Sequence, residues 1–568
     1  MTRRRIKKRQ GSPQHDDTSA LEQQGIAFFN SGDFGRAIVS LSKAVKLDPR
    51  NPRLLFSLGT AFQRVAEHDL AVKALNAAIA EKGGYAAAYN NLGLSLMELG
   101  RHEASAGAFQ KAVALDGSLF EAYGNLGNAL RTAGFLDEAE AAYRRGLVLR
   151  PKSPTLHRAL IMTKIYDPKT SNDTLFELAR AFETQHAPRT AAFHHDNDAD
   201  PDRRIRIGYL SSDFRDHPAG HNLAPLFFNH DRSRFETFIY AELSTRDYMT
   251  DAFRERADHF HLTPHRTDAQ LVEMIRADRI DILVFLAGYL DANRSLIAAW
   301  KPAPIQVSYH DVATSGLQTM DYWFTDPFCN PLGGTEQFTE RLVRVPRLLA
   351  YRPIPDTPEP GPLPCLENGF VTFGSLNNPA KLNPEVLALF AETMAGVPDS
   401  RLLLKYTGTF DSPDTRRRFL SEFESRGIAP DRILFRYKRE DRFGHLSNYR
   451  DVDIALDTFP FNGVTTTFEA LWMGVPVVTL PGERFIARAA GSILRTIGFH
   501  EGIAGNKHDF IERVQRLASD RERLGALRAG LRGTMLASPL MDEKRYAAGM
   551  ERVLAAMWKT WCRRRHPE

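Results

Sequence analysis

A fixed interval between glycines near the start of the chain constrains the fold more than any other feature. Glycines recur every 34 residues, and a large side chain follows each of them by 16 positions: Gly25, Gly59, Gly93 and Gly127 precede Leu41, Leu75, Phe109 and Tyr143. A small residue where two helices cross and a large residue in the second helix specify one helical pair per repeat. We therefore predict an α-helical superhelix over residues 18–165, with SPTLHRALIMTKIY as its capping helix.

The repeat resembles the tetratricopeptide repeat, whose stacked helices usually bind extended chains rather than perform chemistry. Asn91 and Asn125 occupy equivalent positions, two residues before the glycine of their repeats. A ladder of such side chains can hold a peptide backbone without reading its sequence, because each amide offers a donor and an acceptor. Peptide binding is one interpretation of these two residues, and a local polar role near the helix crossing is the other.

Short β-rich runs alternate with helical stretches in the remainder of the chain. RIRIGYL, DILVFLAG and PIQVSYH are examples in the first half of this region, and FVTFGSL, VDIALD and VPVVTL lie in the second half. The alternation is typical of parallel sheets with crossover helices, so two Rossmann-like domains are expected behind the superhelix. The predicted divisions are a disordered basic arm (1–17), the repeats with their cap (18–165), a connector (166–202), the first Rossmann-like domain (203–350), a Pro-rich linker (351–365), the second Rossmann-like domain (366–541) and a C-terminal helix with a basic tail (542–568).

Composition and charge exclude several other classes of protein. Apolar residues make up 43% of the chain and charged residues 25%, and part of the net charge of +5 lies in the end segments MTRRRIKKRQ and CRRRHPE. These segments are interpreted as solvated arms, and no nucleic-acid partner is predicted. The three cysteines are scattered, which argues against a disulfide framework or a structural zinc site. No apolar run is long enough to cross a bilayer and no signal-peptide pattern is present, so a cytoplasmic protein without membrane contact is expected.

A phosphate-binding site is predicted at the carboxyl edge of the second parallel sheet. Thr465, Thr466 and Thr467 open a short helix directly after the strand VDIALD and its loop. Hydroxyls and amides at a helix start bind anions, and ligands of such sheets lie beyond the carboxyl ends of the strands. Lys381 also follows a strand, in FGSLNNPAKLNP, and supplies a positive charge. Together these groups suit a diphosphate, whose negative charge they stabilise as it departs from a sugar.

Metal ions and cofactors have no evident ligands in the sequence. The only D-x-D, Asp451 to Asp453, enters a predicted parallel strand and is assigned a structural role. No second group of ligands accompanies it. We therefore expect neither a metal nor another cofactor.

Five motifs behind the repeats resemble the protein O-GlcNAc transferase family. They are SSDFRDHPAGH, LAGYLDANR, WKPAPIQ, FGSLNNPAKLNP and LDTFPFNGVTTTFEALWMGVPVVTLPGE. The resemblance extends over nearly the whole chain. It implies a GT-B fold of two facing Rossmann-like domains, UDP-N-acetylglucosamine as the donor, and inverting transfer to Ser or Thr hydroxyls of proteins without a metal ion. The short array of repeats implies a bacterial member.

The resemblance also implies roles for individual residues. Lys381 matches the lysine that contacts the donor pyrophosphate, and His217 matches a histidine discussed as the general base. The other matched positions bind the nucleotide sugar: Thr465 and Thr466 at the phosphates, Asn378 near the nucleotide, His445 beside the uracil and Glu469 at the ribose. Thr467 is expected to join the other two threonines.

The group that takes the proton from the acceptor hydroxyl stays open between several candidates. Histidine is the side chain best suited to proton transfer near neutral pH, which favours His217. The alternative is that His217 and His221 only shape their loop and bond the sugar. A third route passes through water to Asp278 or Asp281, or to an oxygen of the donor phosphate.

The chain departs from the family pattern at three places. Val464 stands where animal members have an aromatic histidine against the base, so stacking is lost there and the choice of nucleotide is less fixed. The segment SYHDVATSG is shorter and less glycine-rich than the usual loop after APIQ. Asp281 replaces a frequent histidine at the start of DILVFLAG.

Two other functions compete with this interpretation. Protein O-fucosyltransferases that use GDP-fucose share the fold, and NNPAK together with TFPFNGVTTT is at least as close to those enzymes. The second alternative is a repeat scaffold that binds peptides and whose catalytic half has lost its activity. Retention of the predicted site residues argues against this loss: Lys381, Thr465, Thr466 and Glu469. No feature of the sequence bears on oligomeric state or on the identity of the acceptor proteins.

Overall fold

The computed structural model describes residues 13–188, 193–243, 245–290, 293–354, 356–406, 408–438 and 440–565. These residues form two compact units. The first comprises the described part of Met1–Leu156 together with that of Thr407–Arg418, and the second comprises His157–Tyr406 with Phe419–Glu568. None of the helices in the described stretches combines the length and the apolar character needed to span a bilayer.

The first unit is built from antiparallel helix pairs, as the glycine interval predicts. The pairs are α1 (Pro13–Asn30) with α2 (Phe34–Leu47), α3 (Pro52–Arg64) with α4 (His68–Glu81), α5 (Ala86–Glu98) with α6 (His102–Leu115) and α7 (Phe120–Ala133) with α8 (Leu136–Leu149). Asp33 and Asn51 cap the starts of α2 and α3 by accepting backbone amides. Each repeating glycine lies against the large side chain of its partner helix. A Cβ on Gly127, for example, would lie 2.5 Å from the Tyr143 ring.

A segment from much later in the sequence completes the first unit. Arg418 donates from Nε to Glu103 Oε1 at 2.9 Å and from Nη2 to the carbonyl of Ala133 at 2.6 Å, and its guanidinium lies 4.5 Å from the centre of the Phe135 ring. Gly408, with φ +73°, approaches the carbonyl of Leu99 so closely that a Cβ would lie 2.7 Å from its oxygen. Residues 408–418 therefore fold with the repeats, which the predicted division at 366–541 did not anticipate.

The second unit begins with two further helices and a seven-stranded sheet. The helices are α9 (Pro154–Tyr166) and α10 (Asn172–His186), and the strands are β1 (Ile205–Ser211), β2 (Phe235–Ala241), β3 (His259–Leu262), β4 (Ile282–Leu286), β5 (Ile305–Tyr309), β6 (Tyr322–Thr325) and β7 (Arg341–Arg344). All pairs are parallel, in the order β3-β2-β1-β4-β5-β6-β7. Three crossover helices connect the first strands: α11 (Pro218–Phe227), α12 (Tyr248–Arg256) and α13 (Asp268–Ala277). We call this half the N-lobe.

A five-stranded parallel sheet forms the second half, which we call the C-lobe. Its strands are β8 (Thr372–Ser375), β9 (Arg401–Lys405), β10 (Ile433–Arg436), β11 (Ile454–Leu456) and β12 (Val477–Val478), in the order β10-β9-β8-β11-β12. The accompanying helices are α14 (Pro364–Asn368), α15 (Pro384–Ala395), α16 (Pro413–Glu424), α17 (Arg442–Ser447), α18 (Thr465–Trp472), α19 (Ala489–Thr496), α20 (Lys507–Ser519) and α21 (Arg521–Ala537). The predicted architecture of a helical superhelix followed by two Rossmann-like domains is confirmed.

The last helix, α22 (Glu543–Arg565), packs on the N-lobe although it follows the C-lobe in sequence. Glu551 accepts from the His230 ring at 2.9 Å and from the Asp231 amide at 2.7 Å. The hydroxyls of Tyr309 and Tyr546 are hydrogen-bonded to each other in the buried interface. The C-terminal segment therefore helps to form the first sheet's core.

Several predicted divisions differ from the structure. The connector 166–202 contains α10, whose start Ser171 caps by accepting the Thr174 amide at 3.1 Å. The Pro-rich linker is anchored, since Arg528 and Arg532 of α21 donate to the carbonyls of Pro360 and Pro358. The basic arm 1–17 lies mostly outside the described residues, and its last residues already belong to α1.

The close glycine contacts predict that one added methyl group destabilises the repeats at a contacting glycine but not at a glycine without neighbours. In the Gly93→Ala variant the new Cβ would lie about 2.7 to 2.8 Å from three Phe109 ring atoms, and Phe109 is fully buried. We expect this overpacking to destabilise α5 and α6 by about 1–3 kcal/mol, measured as faster amide hydrogen exchange in both helices. Gly107→Ala is the matched control, because nothing lies within 4 Å of its Cβ. Equal protection in both variants would contradict this account of the repeat.

Candidate functional site

A cavity of about 350 Å³ lies between the two lobes of the second unit. We call it the cleft cavity. Its walls come from loops that leave the carboxyl ends of β1, β5, β8 and β11, where parallel sheets bind their ligands. Predicted site residues that line it are His217, Asn378, Lys381, Thr465 and Thr466. The structure thus brings together residues from three separate motifs.

Lys381 provides the positive charge of the cleft cavity. Its Nζ donates to the carbonyl of Asn462 at 2.9 Å and lies 3.4 Å from Asn377 Oδ1 and 4.5 Å from the centre of the Phe461 ring. Burial lowers the pKa of Lys381 to about 8, and the nearby Asp457 carboxylate partly opposes this shift. An anion that reaches Nζ favours the charged form and raises this pKa.

Asp457 fixes the loop that leads from β11 to α18. Its carboxylate accepts the Gly463 amide at 2.8 Å and the Thr479 hydroxyl at 2.7 Å. Burial raises the pKa of Asp457 to about 6, against these hydrogen bonds and the attraction of Lys381. A Cβ on Gly463 would lie 2.1 Å from Thr466 Oγ1, so the close approach of this loop to α18 requires glycine.

The three threonines at the start of α18 have different environments. Thr465 and Thr466 are half-buried and line the cleft cavity, and the Thr466 hydroxyl donates to Asn377 Oδ1 at 3.2 Å. Thr467 is 2% exposed and its hydroxyl donates to the Gly463 carbonyl at 2.7 Å. The expectation that Thr467 joins the phosphate site is corrected, because its hydroxyl is committed inside the loop.

Asn377 connects Lys381 to Thr466 in the predicted phosphate site, and it was not predicted from the sequence. Its Oδ1 faces both the Lys381 ammonium and the Thr466 hydroxyl, while the neighbouring Asn378 accepts the Ala380 amide at 3.0 Å and shapes the turn before Lys381. The NN pair in the motif was a visible signal. Sequence spacing alone does not tell which of two adjacent amides points inward.

A chain of polar and charged side chains, partly buried, connects β9, α17 and α18. Lys405, 3% exposed, donates to His445 Nδ1 at 2.8 Å and lies 3.1 Å from Glu440. Because an ammonium only donates, His445 Nδ1 accepts, and Nε2 then donates to Glu469 Oε2 at 3.1 Å. Glu469 also accepts from the Tyr449 hydroxyl at 3.4 Å. His445 and Glu469, which were predicted separately as nucleotide-binding residues, are in direct contact. Lys405, at the end of the strand RLLLK, is an unpredicted member of the chain.

His217 stands at the start of α11, on the N-lobe wall of the cleft cavity. Its Nδ1 accepts the Ala219 amide at 3.3 Å and lies 3.5 Å from Asp213 Oδ1. His221 instead points to Asp216, with 2.7 Å between Nε2 and Oδ1. Asp216 also pairs with Arg442 of the C-lobe at 2.7 Å, which joins the two lobes.

Asp278 and Asp281 do not reach the cleft cavity. Asp281 precedes β4, at the amino edge of the sheet, where it is fully buried and paired with Arg203 at 2.7 Å and with Asn197 at 2.8 Å. Asp278 accepts from the Tyr240 hydroxyl at 2.7 Å at the end of α13. The cleft lies at the opposite, carboxyl edge, so the proposed proton path through these two residues is corrected.

Two residues after β5 line the cleft cavity and were not predicted. The Nε2 atom of His310 is buried and has no hydrogen-bond partner within the described stretches, and burial lowers the pKa of His310 to about 3. Asp311 accepts the amides of Tyr289 and Val312 at 3.1 and 2.8 Å, and burial raises its pKa to about 7. Their signal was the HD pair in SYHDVATSG.

The two acidic residues of the D-x-D separate in the structure. Asp453 is buried and accepts the amides of Cys365 and Thr372, whereas Asp451 pairs with Arg436 near the surface. Over the ranges that the structure covers, no group of three His, Cys, Asp or Glu side chains is arranged to hold a metal ion. Through these two amides Asp453 joins α14 to the start of β8.

The two asparagines of the repeats bond to their neighbours in the first unit. Asn91 Nδ2 donates to Thr60 Oγ1 at 3.0 Å, and Asn125 Nδ2 donates to Asn90 Oδ1 at 3.3 Å. Both side chains are half-buried. These bonds join successive repeats, and peptide binding by the same amides stays a prediction.

A model described as glycosyl transferase family 41 matches residues 181–350 and 364–550, and tetratricopeptide models match 25–65, 58–120 and 90–154. The structure of a mutant O-GlcNAc transferase from Thermobaculum terrenum is similar to this chain with a TM-score of 0.83 and 31% identity, covering 98% of this chain and 99% of that one.

Curated relatives from plants and animals match the same region. The probable UDP-N-acetylglucosamine–peptide N-acetylglucosaminyltransferase SPINDLY of Petunia hybrida is 34% identical over 428 residues, which is 73% of this chain and 45% of that protein. The UDP-N-acetylglucosamine–peptide N-acetylglucosaminyltransferase of Caenorhabditis elegans is 27% identical over 63% of this chain and 41% of its own length. The chain thus spans less than half the length of these relatives.

The environment of Lys381 predicts unusual reactivity when no nucleotide is added. With a pKa near 8, a large fraction of this lysine is neutral at pH 8, where an ordinary lysine is almost fully charged. Acetylation by limiting acetic anhydride, followed by peptide mass spectrometry across pH 6–11, should give a half-maximal reactivity near pH 8. In Asp457→Asn the curve should move to lower pH, because the attraction that raises the pKa is removed. A midpoint above pH 10 would contradict the assigned burial.

Proposed function

The chain belongs to glycosyltransferase family 41, and we propose that it transfers N-acetylglucosamine from UDP-GlcNAc to Ser or Thr hydroxyls of proteins, with inversion and without a metal ion. The observation that carries the proposal is the convergence of Lys381, Thr465 and Thr466 on one cavity between two Rossmann-like lobes. The names of the plant and animal relatives support the donor and the acceptor class.

Stabilisation of the departing diphosphate is the first task of such a site. Cleavage of the glycosyl–phosphate bond places negative charge on the nucleotide, and groups that bind this charge more strongly in the transition state accelerate the reaction. Lys381, the hydroxyls of Thr465 and Thr466 and the amides at the start of α18 supply this stabilisation. Because Lys381 is enclosed, its interaction with phosphate is less screened than at a surface.

The nucleoside is assigned to the region of His445 and Glu469. Glu469 has one oxygen bonded to His445 and Tyr449, and its carboxylate suits the hydroxyls of a ribose. Lys405 and Glu440 hold the His445 ring in one orientation from the other side. Lys405 and His445 therefore position the Glu469 carboxylate for the ribose before the donor binds.

His217 is assigned to the sugar and acceptor side of the cleft. A general base at Nε2 needs the proton on Nδ1, and Asp213 at 3.5 Å is placed to accept it. When Nδ1 instead accepts the Ala219 amide, Nε2 carries the proton and donates to substrate. Both protonation patterns are compatible with transfer. In the first His217 acts as the general base, and in the second it positions the substrate. Peptide acceptors are assigned to the repeats, including Asn91 and Asn125.

Removal of the Lys381 ammonium tests the diphosphate site. We expect Lys381→Ala to lower kcat for transfer from UDP-GlcNAc by about 10²-fold or more, the scale found when one preorganised group is lost. Lys438→Ala is the control, since Lys438 is an exposed lysine of the C-lobe. Circular dichroism checks folding in both. Transfer at the wild-type rate in a folded Lys381→Ala protein would overturn the assignment.

Nucleotide binding separates the proposed donor from its rival. Titration calorimetry should show that UDP binds more tightly than GDP, and that addition of EDTA leaves the UDP affinity unchanged. Tighter binding of GDP would favour GDP-fucose as donor and protein O-fucosylation as the activity. Peptide binding to the repeats with neither nucleotide binding nor donor hydrolysis would favour the silent scaffold.

A further inference from the structure

A second cavity, of about 500 Å³, lies outside the cleft cavity. Its walls come from the loops after β6 and β7 in the N-lobe, from α19 in the C-lobe and from α22. Four arginines line it, and we call it the arginine cavity: Arg347, Arg495, Arg545 and Arg552. The proposed donor and acceptor sites involve none of these residues.

The residues that line the arginine cavity carry more positive than negative charge. Asp326 is the one carboxylate among the lining residues, and it already accepts from the Ser492 hydroxyl at 2.6 Å and from the amides of Phe328 and Cys329 at 2.8 Å. None of the four arginines forms an ion pair with a carboxylate in the parts of the chain that the structure describes. A cluster of this kind creates a positive potential that attracts anions.

Arg347 is the most enclosed of the four. Its guanidinium donates to the carbonyls of Pro539 and Asp542 and lies 5.4 Å from the centre of the Tyr546 ring, whereas its Nε is buried and has no partner among the described residues. Burial lowers the pKa of Arg347, Tyr546 and the Asp542 carboxylate oppose this shift, and the charge of Arg545 adds to it. Mutual repulsion of this kind is relieved when an anion binds between two guanidinium groups.

We propose that the arginine cavity binds a small soluble anion of the diphosphate or phosphate-ester class. The planar fork of an arginine matches phosphate oxygens in pairs, and several arginines around one concave site are typical of phosphate recognition. The volume is within the range of pockets that hold small molecules. Phe328 and Tyr546 add aromatic surface for the organic part of such a ligand.

The arginine cavity shares structural elements with the cleft cavity. The loop 326–329 presents Phe328 to the arginine cavity and Cys329 to the cleft cavity, and α19 presents Arg495 to one and Ala489 to the other. Arg347 belongs to the N-lobe and Arg495 to the C-lobe. An anion bound by both arginines therefore contacts both lobes next to the substrate cleft.

Calorimetric titration of inorganic pyrophosphate tests the proposal. Because pyrophosphate also suits the cleft cavity, the titration is done with and without saturating UDP, and the component that persists in UDP reports the arginine cavity. We expect Arg495→Ala with Arg552→Ala to weaken this component by at least about tenfold, as the loss of charge-assisted hydrogen bonds predicts. The affinity for UDP should stay the same in the double variant, which also shows that the protein is folded.

A charge-matched control distinguishes specific binding in the arginine cavity from general attraction of pyrophosphate to a positively charged protein. Arg516→Ala with Arg523→Ala removes the same charge from exposed positions on α20 and α21. The proposal is overturned if this control loses as much pyrophosphate affinity as the double variant, or if no UDP-independent component exists. Binding to anionic phospholipid vesicles that pyrophosphate does not displace would also overturn it, since the occupant would then be a membrane surface. Absence of UDP binding with pyrophosphate binding intact would refute the proposed donor and leave the arginine cavity supported.

Discussion

The cleft cavity depends on one enclosed pair of opposite charges, the Lys381 ammonium and the Asp457 carboxylate. Asp457 holds the Gly463 amide and the Thr479 hydroxyl, and through them the loop before α18. Lys381 is bonded to the carbonyl of Asn462 in that same loop. Burial moves both pKa values towards neutrality, Asp457 upwards and Lys381 downwards. Each group therefore contributes to the ionisation of the other, and the anion site is assembled before any nucleotide arrives.

This arrangement explains how a site made from distant segments keeps its geometry. The lysine follows β8, the threonines follow β11 and His217 follows β1, so each group stands at the carboxyl end of a buried strand. Strand positions are fixed by the backbone ladder and by apolar packing, which gives the loops rigid starting points. The amide side chain of Asn377 and the Asp216–Arg442 pair then connect neighbouring loops. Reactive groups are thus positioned by the sheets, while short polar contacts set their final orientation.

Sequence patterns predicted the parts of this protein that are periodic. The glycine interval gave the helix pairs because each glycine must accommodate a large side chain from the next helix. Alternating β-rich and helical runs gave the two parallel sheets, and position after a strand identified Lys381 and Thr466 as neighbours. Long-range packing was not visible in the same way. Nothing local shows that residues 408–418 fold with the repeats or that α22 returns to the first lobe. The inward direction of Asn377 and the burial of Thr467 likewise depend on contacts that the sequence does not contain.

The return of α22 to the N-lobe has a consequence for any attempt to divide the catalytic region. The polypeptide passes from the first sheet to the second along the Pro-rich segment and passes back through the final helix, so the lobes are tied by two crossings. A gene fragment that ends before residue 540 would leave the Tyr309 hydroxyl and the His230 ring uncovered in a lobe whose own sequence is intact. Neither lobe is therefore an independent module. Hinge motion between the lobes is restricted by two connections, the Pro-rich segment and α22.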